Sequence, residues 1–248
     1  MAERIIIVCR DARELNQKAA EQFVALANEP SASSGRFTVA LSGGSTPRTL
    51  YSLLATPGFA DRIPWPKVHL FWGDERCVPP EHIDSNYRMA HEFLISRVPI
   101  PAANVHRMRG EIEPGVAAAE YERMLKEFFS LSEGVPPRFD LILLGLGDDG
   151  HTASLFPGSA VLEERERFVA APYVEKFQTH RLTLTLPALN HGADVVFLVA
   201  GQSKAAIVKE ILGTKTDFPS LPAARITPLD GHLTWLITRN AATALVEP

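Results

Sequence analysis

Short runs of apolar residues, several ending in a glycine-rich or charged tail, alternate along this chain with stretches of helical periodicity. "RIIIVC" (4–9), "RFTVALSGG" (36–44), "KVHLFWGDER" (67–76), "FDLILLG" (139–145), "RLTLTL" (181–186), "DVVFLVAG" (194–201) and "LTWLIT" (233–238) read as strands. Between them, residues 11–29 place Leu15, Ala19, Phe23 and Leu26 at helical spacing behind a capping aspartate, Asp11. Further helices are expected over 46–55, with Pro47 near the first turn, and over 84–96, 116–129 and 202–212. Strands apolar on both sides have no face to turn to water. The expected fold is therefore α/β, with a mainly parallel, Rossmann-like central sheet and helices on both faces.

No linker or shift in composition divides the 248 residues, so residues 1–248 are expected to form one domain. A net charge of −4 offers no broad attraction for nucleic acid or anionic membrane, although a local basic pocket for a small anion remains open. Two cysteines, Cys9 and Cys77, form no C-x-x-C pattern and suit a reducing compartment. The first apolar run, Ile5 to Cys9, is too short for a signal-peptide core. A cytoplasmic monomer with a small-molecule ligand is the expectation.

In an open parallel sheet, ligands bind beyond the carboxyl ends of the strands. Here those ends read "SGGSTP", "GDER", "GLGDDGH" and "GQSK". The turn Gly43, Gly44, Ser45, Thr46 leads from strand to helix. It is either a phosphate cradle, built from backbone N–H groups and the hydroxyls of Ser42, Ser45 and Thr46, or an ordinary tight turn with a hydroxyl cap. It lacks the spacing of a nucleotide-binding P-loop. Lys204 stands at a helix start, where the dipole disfavours a cation unless an anion is bound nearby. Arg76 and Arg181 are candidates for the same anion, or solvated surface residues.

Gly145, Gly147 and Gly150 spell a dinucleotide fingerprint, but Asp148 and Asp149 occupy its centre and Pro157-Gly158 leaves little room for the required helix. Asp149 and His151, two apart on a glycine-flanked turn, suit a different purpose. A carboxylate beside an imidazole fixes its tautomer and steadies its protonated form, as a general base requires. A structural or solvated histidine is the alternative. There is no G-x-S-x-G or H-E-x-x-H, and His180 and His191 have no metal-ligand spacing.

Taken together, "ALSGGSTP", "FWGDERCVP" with "DSNYRMA", "LGLGDDGHTASLFPG", "RLTLTLPALN" and "VAGQSKA" resemble the 6-phosphogluconolactonase family, within a superfamily that includes glucosamine-6-phosphate deaminase. The motifs occur in the family's order from residue 40 to residue 205. The resemblance implies hydrolysis of 6-phospho-D-glucono-1,5-lactone to 6-phosphogluconate in the oxidative pentose phosphate pathway, with no cofactor and no catalytic metal. It implies proton transfer by His151 with Asp149 beside it. Gly43, Gly44, Ser45, Thr46, Arg76, Arg181 and Lys204 are then the substrate and phosphate contacts.

Three other readings compete with this one. The deaminase pattern resembles D-G-H-I-A-F-N-E-P, whereas here the first acid after His151 is Glu163, beyond Pro157. A sugar-phosphate sensor without catalysis has no need of both Asp149 and His151. A dehydrogenase would bind nicotinamide cofactor.

Overall fold

The computed structural model describes residues 4–29, 35–213 and 220–245. In chain order the strands are β1 (Arg4–Cys9), β2 (Phe37–Leu41), β3 (Val68–Trp72), β4 (Asp74–Arg76), β5 (Leu141–Leu144), β6 (Val169–Ala170), β7 (Tyr173–Val174), β8 (Thr179–Leu184), β9 (Asp194–Val199) and β10 (His232–Thr238). The helices are α1 (Ala12–Ala27), α2 (Ser45–Leu54), α3 (Pro57–Ala60), α4 (Asn86–Phe93), α5 (Pro114–Phe129), α6 (Leu186–Leu189) and α7 (Ala205–Leu212).

Six strands form a sheet in the order β1-β10-β9-β5-β2-β3, and every neighbouring pair is parallel. Strands β2 and β5 are buried along their full length, as expected of strands covered on both faces. β1 departs from that expectation. It lies at the sheet edge with β10 as its partner, and Ile5, Ile6 and Val8 are exposed. An apolar run alone does not distinguish an edge strand from a central one.

The sequence suggested one sheet, but the structure contains a second. β4, β8 and β6 pair antiparallel, with β7 added against β8. Gly73 is the joint between the two layers. Its N–H donates to the Leu41 carbonyl at 2.8 Å and its carbonyl accepts from Leu184 N at 2.8 Å. α5 packs on β6 and β8, and its Tyr121 Oη accepts a hydrogen bond from Trp72 N at 2.9 Å. Trp65 and Trp72 are both buried packing residues.

Local signals set the helix ends. Asp11 caps α1 by accepting from Glu14 N at 2.9 Å. Ser85 caps α4, and Glu113 caps α5 through Gly115 N and Val116 N. The helix expected over 202–212 begins instead as a 3-10 turn, Gln202–Lys204, before α7. No described helix is long and apolar enough to cross a membrane.

Candidate active site

The carboxyl ends of three adjacent strands, β9, β5 and β2, open into one cavity of about 280 Å³. Its wall includes the 43–46 turn, Arg76, His151 and Lys204. Seven of the nine residues singled out from sequence therefore share one space.

The turn after β2 is built for close approach. A Cβ on Gly43 would overlap the Asn86 side chain, and Gly44 has φ +104°, a conformation that L side chains rarely adopt. Tyr51, nearly two turns into α2, clamps the turn from beneath. Its Oη accepts from Ser42 N at 3.0 Å and donates to the Ser42 carbonyl at 2.7 Å. Burial pushes this phenol well up from its ordinary value, which keeps the donor proton in place. Gly44 itself occupies the cap position, and no side chain caps α2. The first N–H groups of the helix thus stay available beside the cavity, which favours the anion cradle over the hydroxyl-capped turn.

After β5 the chain folds into a tight loop. Gly147 N donates to the His151 carbonyl at 2.8 Å, Gly150 N to the Gly147 carbonyl at 3.1 Å, and Thr152 Oγ1 to the Gly145 carbonyl at 2.9 Å. Gly150 takes φ +79° to make this possible. The next helical turn is Ala160–Glu163, so no helix follows the three glycines as a dinucleotide site demands.

Within that loop His151 Nδ1 is hydrogen-bonded to Asp149 Oδ1, and Asp149 Oδ2 accepts from Lys176 Nζ at 3.0 Å. Partial burial acts to raise the Asp149 carboxyl, but the hydrogen bonds from His151 and Lys176 outweigh it and hold the group well below the usual carboxylate range. Phe156 stacks on the His151 ring with centroids 4.3 Å apart. With Nδ1 engaged and one face covered, the ring's orientation is fixed and Nε2 makes no hydrogen bond among the described residues.

Asp149 itself lines a neighbouring cavity of about 700 Å³, together with Lys176, Phe156 and Arg167. The pair Asp149 and His151 is thus a wall between two spaces. Asp148 is ion-paired with Lys204 at 2.6 Å. Arg76 lines the smaller cavity and donates through Nη1 to the Asp84 carbonyl at 2.6 Å. Arg181 does not reach that wall. It lies directly across β4–β8 from Arg76, with its guanidinium 5.1 Å from the Phe177 ring centre. Burial and the like charge of Arg76 hold it below the usual guanidinium range. Two guanidinium groups in register oppose each other unless an anion lies between them.

Sequence reasoning missed three residues here. Asp74 and Asn86 sit inside the GDER and DSNYRMA segments, but neither is a cation, so a reading based on positive charge does not single them out. Lys176 belongs to no motif and reaches Asp149 only through the fold.

A family described as glucosamine-6-phosphate isomerases/6-phosphogluconolactonase matches residues 10–235. A 6-phosphogluconolactonase of Nostoc sp. is 43% identical over 212 residues, covering 85% of each chain. One from Haemophilus influenzae is 39% identical over 207 residues, covering 84% of this chain and 87% of that one. The solved 6-phosphogluconolactonase of Trypanosoma brucei superposes with a TM-score of 0.86 at 27% identity, over 99% of this chain and 100% of the other. A monomeric glucosamine-6-phosphate deaminase, at 18% identity and a TM-score of 0.81 over 97% and 99% of the two chains, shares the fold. On this match, and on the loops that carry its motifs around one cavity, the chain belongs to the glucosamine-6-phosphate isomerase/6-phosphogluconolactonase family.

Proposed function

We propose that the chain acts as one domain that hydrolyses 6-phospho-D-glucono-1,5-lactone to 6-phosphogluconate, the lactone-opening step of the oxidative pentose phosphate pathway. The observation that carries this reading is the 280 Å³ cavity, which holds both an oriented imidazole and an uncapped helix start flanked by Arg76 and Lys204. Relatives named for this activity at 39–43% identity support the choice of substrate.

In this reading His151 Nε2 takes a proton from water as the water oxygen bonds to the lactone carbonyl carbon. The carbonyl electrons move onto oxygen and return as the ring C–O bond breaks. His151 then delivers its proton to the departing ring oxygen. The Asp149 carboxylate steadies the intervening imidazolium, and Lys176 holds that carboxylate in place. The phosphate lies away from the bond that breaks, so its contacts with the α2 start, Arg76 and Lys204 serve to position the ring, with Arg181 adding charge from behind.

The deaminase reading lacks support at the acid. Glu163 is ion-paired with Arg165 and Arg225, both at 2.8 Å, and is not on the cavity wall. The decisive assay follows freshly made phosphogluconolactone, corrected for spontaneous hydrolysis. Accelerated decay is expected. No acceleration, or release of ammonia from glucosamine 6-phosphate, would overturn the proposal.

A further inference from the structure

Asp74 differs from the other acids around the cavity. It opens β4, is only 8% exposed, and lines the same space as His151. Its Oδ2 accepts from Ser154 Oγ at 2.7 Å and its Oδ1 from Asn86 Nδ2 at 3.2 Å. Both donors are neutral. Among the described residues no cation forms an ion pair with Asp74: Arg181 attracts it only through space, Lys204 pairs with Asp148 and Lys176 with Asp149.

A buried carboxylate is costly unless its charge and lone pairs are met. Its two oxygens offer about four acceptor positions, and Ser154 and Asn86 fill two. Asn86 Nδ2 also donates to the Asp74 carbonyl at 2.9 Å, so the amide holds both the backbone and the side chain of Asp74. Ser154 lies three residues beyond His151 in the same loop, so the Asp74 carboxylate and the imidazole are held in one frame.

The chemistry of a phosphorylated sugar lactone divides between these groups. Its phosphate and carbonyl oxygens accept hydrogen bonds and match the N–H groups and cations. Its ring hydroxyls can donate, and among the groups lining the cavity a carboxylate is the strongest acceptor. We infer that Asp74 accepts a hydrogen bond from a ring hydroxyl of the lactone and is a specificity-determining residue for the sugar. The inference rests on the lactonase reading and adds the recognition of the ring to it.

The test compares the wild type and Asp74→Asn on the parent lactone and on three lactones lacking the 2-, 3- or 4-hydroxyl. The wild type should prefer the parent over at least one of these by roughly 10- to 100-fold in kcat/KM, and Asp74→Asn should compress that ratio to within about threefold. A variant slowed equally on every lactone would overturn the inference and move Asp74 to the framework or the chemical step. If Asp74→Asn does not fold, Ser154→Ala, which frees Oδ2, must change the same ratio, and an unchanged ratio overturns the inference. A wild type that hydrolyses all four lactones alike defeats this inference alone. A wild type inactive on the parent defeats the lactonase reading and this inference with it.

Discussion

Gly147 lies against the His151 ring so closely that a Cβ there would overlap Nδ1 and stand 2.7 Å from Asp149 Oδ1. The missing side chain is what lets the imidazole meet its carboxylate. Gly147→Ala should therefore push the ring out of line while leaving the sheet intact. A displacement of about 1 Å is enough to cost roughly 100-fold in turnover. Steady-state kinetics beside a thermal melt would check this, and unchanged turnover would mean that the loop absorbs the methyl group.

His151→Ala removes the proposed base outright. Turnover should fall by roughly 100- to 10,000-fold, while binding of 6-phosphogluconate, measured by calorimetry, persists. Unaltered turnover would take His151 out of the reaction.

Lys204 and Asp148 form a matched pair of tests, because the carboxylate competes with any anion for the ammonium. A hydrogen bond to a charged group contributes on the order of 1.5–3 kcal/mol, so Lys204→Ala should raise KM roughly 10- to 100-fold with a smaller change in kcat. Asp148→Ala, which frees the lysine, should lower KM by about two- to fivefold by the same competition. A raised KM for Asp148→Ala would show that the pair organises the site.

His106 gives the chain an acid-sensitive point far from the reaction. Its Nε2 lies 3.1 Å from His69 Nδ1, and its ring stacks on Phe71 with centroids 4.5 Å apart. Burial, with help from His69 and Arg36, pulls it down to about 4. An unfolded histidine takes its proton near pH 6.5, so between about 4 and 6.5 the unfolded chain binds more protons than the folded one. Stability should fall as pH falls through that window, with this residue adding up to about 1.4 kcal/mol per pH unit. Urea unfolding of the wild type and His106→Phe at pH 5 and pH 7.5 measures it. Equal slopes in the two proteins would remove His106 as the source.

The parallel sheet and the loops at its carboxyl edge were legible in the sequence because the buried apolar runs give way to glycine and polar residues, as after Leu41 and Leu144. The antiparallel layer was not. "GDER" and "RLTLTL" carry no mark of which sheet they join, and Arg76 meets Arg181 through a pairing about a hundred residues apart in the chain. The Asp149 and His151 pair could be read from a spacing of two on a turn. Lys176, which completes it, comes from a separate turn after β7, and short-range pattern holds no information about that contact. Asp74 was visible as a letter, but its burial and its neutral partners exist only once β4 and α4 come together.

The phenol of Tyr51 grips both the amide and the carbonyl of Ser42 from inside the protein. In the proposed reading, a phosphate arriving at this turn meets peptide groups already aimed, and little motion is left to freeze out on capture. Such rigidity also sets a size limit, since a frame that cannot widen will disfavour bulkier anions irrespective of their charge.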